Sequence, residues 1–416
     1  MSTAPAQPRS PLGLIFLTLF IDMIGFGIVI PVLPLYAEGT LFNASATQLA
    51  WIVGIYSLLQ VVCAPILGRL SDRYGRRPVL VISITGTAIG FLVLGSATTV
   101  TMLIIGRIID GISGGNIATA MACIADVTTK ETRSKNMGLV GAAFGLGFVI
   151  GPALGGWLSK YGVAVPFYVA AAFALTNAAL VYFRLPETLT PEARQRAHEQ
   201  ASVAEVFSRG RAPMVSIILL SQLAGVTGFS VMTSLFALFC HHRLRDGAGQ
   251  PFDAEHVGYI LAYVGVLGAV MQGGVLRRLL HRPIEKPLAI IGTIVLAASM
   301  AWLANGYTLG AVLLACAGIS IGNSLSTPTL NGLASRMTDA HCQGRLMGLM
   351  QSAGGLGRFL GPMLGFGLVA YDPEMQYGRT AFLASAALLV VDSVLLMTLR
   401  VPKTVPDPVP EAIVET

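Results

Sequence analysis

The chain has 416 residues, of which 54% are hydrophobic and 12% charged, and it carries a net charge of +6. That charged share is about half the usual one and cannot clothe a water-soluble surface, which excludes a pair of soluble enzyme domains. Mean hydropathy is +0.71, and the apolar residues arrive in blocks of about 20, the length of a helical membrane span.

In chain order the blocks fall near 12–36, 47–69, 79–97, 101–126, 137–159 and 164–183, then near 213–240, 256–276, 287–305, 308–332, 346–371 and 379–400. The expected fold is an all-α polytopic membrane protein with 12 transmembrane helices in two six-helix bundles, at 12–183 and 213–400. An amino-terminal tail (1–11), a linker (184–212) and a carboxy-terminal tail (401–416) complete the division. The first apolar block is longer than a signal-peptide core and lacks a small-residue cleavage site, so it reads as a retained span. Cytoplasmic loops accumulate Lys and Arg. With both termini inside, 21 of the 27 basic residues fall on the inner side and 4 outside, while Arg107 and Arg358 lie within spans. The expected location is therefore the inner membrane, multi-pass, and the positive charge is mainly a topology signal rather than a nucleic-acid surface. Thr190, Pro191 and Glu192 in the linker have the pattern of a helix start. Cysteines 63, 123, 240, 316 and 342 show neither a disulfide framework nor metal spacing.

The halves repeat one another. Residues 137–156 read MGLVGAAFGLGFVIGPALGG and residues 347–366 read MGLMQSAGGLGRFLGPMLGF, an ungapped offset of 210. GISGGN at 111–116 returns as GISIGN at 318–323, an offset of 207. Parallel six-span repeats place a solute site near the midplane between the halves. In the fifth span Gly141, Gly145, Gly147, Gly151 and Gly155 allow close helix approach, and Pro152 can bend the span. Tight packing alone also accounts for this motif.

After the second span comes Gly68-Arg69-Leu70-Ser71-Asp72-Arg73-Tyr74-Gly75-Arg76-Arg77-Pro78-Val79-Leu80. Gly68 and Gly75 permit a tight turn and close approach. The four arginines hold the loop in the cytosol, and Asp72 can face a helix amino terminus or Arg76. In residue type and spacing this segment resembles the signature loop of the major facilitator superfamily. Arg107 in IIGRIIDGISGG resembles that superfamily's fourth-span arginine motif, and GLGFVIGPALGG resembles the fifth-span motif of its drug:proton antiporters. FIDMIGFGIVIPVLP and IADVTTKETRSKNMG are similar to the tetracycline-efflux branch. The resemblance implies pseudo-symmetric bundles, alternating access, and an interdomain latch built on Gly68, Asp72, Gly75, Arg76, Arg77 and Asp126. There are departures. Arg278 stands where Asp72 would repeat, and Leu314 and Ala317 replace Arg107 and Asp110. The third and ninth spans lack the acids that similar tetracycline pumps carry, with Gly90 near the expected third-span place.

An ionisable side chain inside a span is a functional candidate. Asp22, Arg107 and Asp110 are the proton-coupling candidates, with an Asp22–Arg107 ion pair as the structural alternative. Asp110 can neutralise Arg107 three residues earlier on the same helical face. Arg358 can meet an anionic substrate group, pair with Asp392, or snorkel. Asp22, Gln60, Asn116, Gln222, Asn331, Gln351 and Arg358 are candidates for the substrate cavity, and interhelical hydrogen bonding is an equal reading of the uncharged ones. His241, His242 and His256 share an outer loop with Asp246, Asp253 and Glu255, more simply read as solvated than as a metal site. No Walker A sequence or nucleophile motif occurs. The expectation is a secondary active transporter rather than an enzyme, exporting a small amphipathic drug or metabolite by alternating access. It uses no cofactor, is driven by the proton gradient, works as a monomer, and has a small molecule, protons and the lipid bilayer as partners. A nutrient symporter or facilitator, and a sensor that no longer transports, stay open as alternatives.

Overall fold

The structure is a computed structural model describing residues 11–128, 130–189, 203–207, 212–279, 284–338 and 342–399, with the side chains of 130–140, 203–204, 277 and 374 outside the description. Both tails and most of the linker, including the helix start at Thr190–Glu192, thus lie outside the described residues. The first six spans are α1 (Leu12–Glu38), α2 (Ala46–Tyr74), α3 (Arg76–Gly95), α4 (Val100–Asp126), α5 (Lys130–Ser159) and α6 (Val165–Arg184). The second six are α7 (Ala212–Arg243), α8 (Ala254–Leu276), α9 (Glu285–Leu303), α10 (Leu309–Arg336), α11 (Gln343–Val369) and α12 (Arg379–Thr398). Eleven of these are long and apolar enough to cross a membrane by length and composition. The twelfth, α11, is diluted by its glycines, Arg345 and Arg358, yet it is 27 residues long.

Helix ends follow local chemistry. Ser45 and Gln48 form a capping box at α2, while Thr99 and Thr308 cap α4 and α10. Asp253 caps α8 by accepting from the Glu255 and His256 backbone N–H groups. Partial burial pushes its carboxyl up, but hydrogen bonds from His256 and Glu255 outweigh this and hold it below the usual range. Two spans extend beyond the apolar block. Helix α2 continues to Tyr74 because Gly68–Tyr74 is itself helical, and α5 begins at Lys130. Two others are irregular. Helix α4 is broken between Ser113 and Asn116, and α8 ends in a π-helical turn, Met271–Leu276.

The repeat is a repeat of buried faces. In α6 the buried side is Pro166, Phe167, Ala170, Ala171, Ala174, Asn177, Ala178 and Val181. In α12 it is Ala381, Phe382, Ser385, Ala386, Leu389, Asp392, Ser393 and Leu396, the same positions at an offset of 215. Helices α3 and α9 agree at 209, which places Glu285 where Arg76 stands. The α1–α5 seam repeats as the α7–α11 seam. A Cβ at Gly151 would lie 2.7 Å from Gly27 Cα, and one at Gly361 would lie 2.5 Å from Ser230 Cβ. Likewise Gly147 meets Met23 and Gly357 meets Val226, fixing the α1 to α7 register at 203. Such seams hold by close van der Waals packing, since lipid offers apolar contact everywhere else.

Among the described residues the halves touch toward one end. Helix α2 meets α11 through Gly54 against Met363 and Phe359, with Trp51 and Phe359 ring centroids 5.9 Å apart. Helix α5 meets α8 through Pro152 against Gly258 and Val149 against Gly265. Lys160–Glu255 (2.6 Å) and Glu38–His242 (3.2 Å) join the halves at this end, which is opposite the basic loops. Toward the basic end, a Cβ on Gly68, Gly141, Gly145, Gly273, Gly274, Gly344 or Gly348 would meet nothing within 4 Å. Among the described residues Gly68, Gly141 and Gly145, which the sequence marks for close approach, thus meet no neighbour in this arrangement. Of the fifth-span motif, Gly147, Gly151 and Gly155 pack against α1, and Pro152 lies against α8.

Candidate functional site

At the depth where contact between the halves gives out, the polar side chains gather around the α4 break. Gly111 sits against the Tyr56 backbone, leaving no room for a side chain. The carbonyls freed by the break find side-chain donors: Gln60 donates to Gly114 O at 3.0 Å and Ser83 to Ser113 O. Irregular backbone at membrane depth survives only where such partners satisfy it. The break also sets Asn116 at the start of the second α4 segment, where its Nδ2 donates to Asp22 Oδ1 at 2.7 Å.

Arg107 is buried and bound three ways. Its Nη1 pairs with Asp110 Oδ2 at 2.8 Å, its Nε donates to Ile52 O at 3.2 Å, and its guanidinium lies 4.4 Å from the Tyr56 ring centre. The structural alternative, an Asp22–Arg107 ion pair, is not among the described ion pairs. The local i, i+3 acid wins Arg107, and Asp22 is left with an uncharged amide donor. Gln60 also donates to the Tyr56 hydroxyl at 3.0 Å and, across the halves, accepts from Arg358 Nη2 at 3.4 Å. The Arg358–Asp392 pair is likewise absent among the described ion pairs, because Asp392 faces the inside of its own bundle. Gln60, Arg107, Asp110 and Arg358 are thus linked around Tyr56, a residue with no signal in the sequence, and Asp22 and Asn116 are bonded to each other.

The other candidates make no described hydrogen bond to this group. Gln222 lines a small cavity inside the second bundle with Ser221, Asn323 and Asp392. Asn331 and Gln351 are exposed, and no described hydrogen bond draws them to the site. In the outer loop, His241 bonds to Phe252 O, His242 to Glu38 and His256 to Asp253. Among the described residues no three metal-ligating side chains converge.

The signature loop forms a charge cluster. Gly75 has φ 107°, a conformation that favours glycine, and it turns α2 into α3. Arg76 then reaches Asp72 at 2.6 Å, Asp126 at 3.0 Å and Ser71 Oγ at 2.7 Å. Glu187, which follows α6, accepts from the Arg76 and Arg77 backbone N–H groups at 2.8 and 3.2 Å. Arg77 donates to Tyr182 O and lies over the Tyr182 ring. Every one of these partners belongs to the first half. Glu187 was missed by sequence reasoning, although an acid just after the basic end of α6 was a usable signal. Also missed was the second-half counterpart, Arg336–Glu285 at 3.1 Å, in which the signs are exchanged. Lys286 donates to Met397 O at 2.8 Å as Arg77 does to Tyr182 O, at matching positions of α12 and α6.

Comparison with known proteins agrees with this architecture. The tetracycline resistance protein, class B, of Escherichia coli is 32% identical over 83% of this chain and 84% of its own length. Multidrug resistance protein 1 of Bacillus subtilis (strain 168) is 31% identical over 88% of this chain and 91% of its own. Among solved structures, the human organic anion transporter MFSD10 (TETRAN) matches with a TM-score of 0.70 and 24% identity, covering 94% of this chain and 100% of that one. A bacterial homolog of the human lysosomal transporter Spinster, in an inward-facing and occupied conformation, matches with a TM-score of 0.75 and 14% identity, covering 95% and 97%. Residues 15–362 match the profile of the Major Facilitator Superfamily, and the chain belongs to that family of transporters.

Proposed function

We propose that the chain is a proton-driven exporter of a small amphipathic molecule, working as a monomer in the inner membrane with both termini in the cytoplasm. The observation that carries this reading is the placement of the polar side chains. Asp22, Asn116, Arg107, Asp110, Gln60 and Arg358 lie where the closed end of the molecule gives way to the open, basic end. A carboxylate there can take a proton in one orientation and release it in the other, and a substrate bound in the opposite sense completes the exchange. Such coupling requires that each ligand prefer one of the two states. In this reading the basic loops face the cytoplasm, and the state described is open to that side. The halves then rock about the α2–α11 and α5–α8 seams until the bare glycines of the basic end meet.

Three features support an amphipathic substrate. The relatives include tetracycline and multidrug resistance proteins. Aromatic rings stand beside the polar groups: Tyr56 lies against Arg107 and packs on Phe26. Arg358 has no acidic partner among the described residues, so an anionic group on the substrate is its natural complement, and a solved structure of like fold is an organic anion transporter. The Arg76 cluster, with Asp72, Asp126, Gly75 and Arg77, serves as the latch of the basic end, gripping the second half when that end closes. No resident cofactor enters this scheme.

The test is efflux from cells lacking their own exporters, using a panel of amphipathic compounds, followed by substrate and proton flux in liposomes containing the full chain. An imposed proton gradient should drive substrate uphill, and a protonophore should abolish this. Substrate flux indifferent to the gradient would sink the coupled reading.

A further inference from the structure

The second bundle contains a buried carboxylate that the export scheme does not use. Asp392 on α12 is 3% exposed. Its Oδ1 has no hydrogen-bond partner, and neither has the Ser221 hydroxyl, itself 1% exposed. Both line a cavity with Gln222, Thr293, Asn323 and Thr327. The cavity's water-sized space is about 20 Å³, room for about one water.

The first bundle shows what this position requires. Asn177 occupies the matching place on α6 and donates from Nδ2 to Thr18 O at 3.0 Å. The α1 to α7 register of 203 makes Ser221 the counterpart of Thr18. An ionised aspartate cannot donate, whereas a protonated one can. The register also pairs Asp22 with Gly225, whose Cβ would come within 3.9 Å of Asp392 Oδ2, and the fourth-span repeat pairs Asn116 with Asn323. An acid–amide couple thus stands at corresponding places in both bundles, with the acid carried by α1 in one and by α12 in the other.

We infer that Asp392 is a second proton-binding site, held inside the carboxy-terminal bundle and separate from the Asp22 group. The elements around α12 supply no compensating cation. Their charged or titratable groups are Glu285 and Lys286 on α9, Arg345 and Arg358 on α11, Cys316 and Arg336 on α10, and Cys240, His241, His242 and Arg243 on α7, and none lines the cavity. Glu285 is engaged by Arg336, and Lys286 by the last carbonyls of α12. The proton enters as the carboxylic O–H and restores the donor that Asn177 provides in the other half. This inference stands without the export reading, since binding can occur without transport.

The experiment is infrared spectroscopy of the full chain in lipid bilayers, from acidic to mildly alkaline pH. Wild type should show a carboxylic acid C=O absorption that Asp392→Asn removes and Asp22→Asn leaves in place. Asp392→Asn is expected to fold, because asparagine already fills the matching position. Asp392→Glu is the second variant and should retain the absorption at a shifted frequency. An Asp392→Asn spectrum identical to wild type would overturn the inference.

Discussion

In the amino-terminal half Arg76, at the start of α3, meets Asp126 at the end of α4. In the carboxy-terminal half the same place holds Glu285 and Arg336. The bundles bury the same faces of the same helices, so packing has been kept while charge has been exchanged at this end and thinned at the midplane. There Asp22, Arg107 and Asp110 of the first half correspond to Gly225, Leu314 and Ala317 of the second. The shared fold asks for opposite signs at the α3–α4 corner and for small residues in the seams, and neither demand specifies which half carries the chemistry. Ionisable residues at the midplane are expensive there unless they have a use, and their concentration in one half makes that half the one to break first.

Asp22→Asn should give the largest effect. It retains hydrogen-bonding capacity toward Asn116 while removing the titratable group, so the protein should fold and proton-driven efflux should fall by about tenfold or more, a loss of at least ~1.4 kcal/mol in transition-state terms. Wild-type efflux in this variant would remove Asp22 from the mechanism. Next comes Arg76→Gln. It leaves Asp126 without its cation in a nearly buried corner, and loss of one partner of a buried pair costs about 3–5 kcal/mol. Thermal unfolding of the purified chain should show it, and Arg76→Glu combined with Asp126→Arg, which copies the polarity of the second half, should recover part of that loss.

The seams give a third contrast. A side chain at Gly151 has no space beside Gly27, so Gly151→Val should cost about 1–3 kcal/mol by overpacking. Gly145 in the same helix meets nothing, so Gly145→Val should leave thermal stability near wild type. If the basic end closes during transport, the Gly145 variant should still slow efflux. Normal flux would argue that α5 does not approach another helix there.

Much of this was legible in the sequence and some was not. The twelve spans, the duplication and the charge cluster at Asp72 and Arg76 follow from apolar block length, exact repeats and i, i+4 spacing. The counterpart pair Glu285–Arg336 was hidden because the offset between halves is not constant. The loop alignment of 206 sets Arg282 against Arg76, whereas the helix register of 209 sets Glu285 there. A three-residue difference in loop length is invisible until the buried faces are known. The partner of Arg107 was open for a related reason. Spacing identifies neighbours on one helix, such as Asp110, but says little about which helix faces it, and Tyr56 and Ile52 of α2 complete its surroundings.

A fourth variant moves the second half's acid into the first. Asn177→Asp removes a donor to Thr18 O without changing shape, so at neutral pH it should destabilise the protein by about 1–3 kcal/mol, the cost of an unsatisfied buried group. Acidification should relieve that cost, because a protonated aspartate donates again. A penalty that does not change with pH would mean that the Thr18 carbonyl needs no donor, and would weaken the symmetry argument for Asp392.

The smallest effect is expected at Arg336, and it tests whether the exchanged pair is equivalent or only similarly placed. Arg76 is 9% exposed in its pair, but the side chain of Arg336 is 50% exposed although Glu285 is only 11%. An ion pair with one half-solvated partner is worth about 0–1 kcal/mol, because water already stabilises the cation when the acid lets go. Arg336→Gln should therefore shift thermal unfolding by much less than Arg76→Gln does, and raising salt should shrink the difference from wild type further. Equal losses at the two corners would mean that exposure does not set their strength, and that Glu285, the more buried member, carries the cost once its cation is gone.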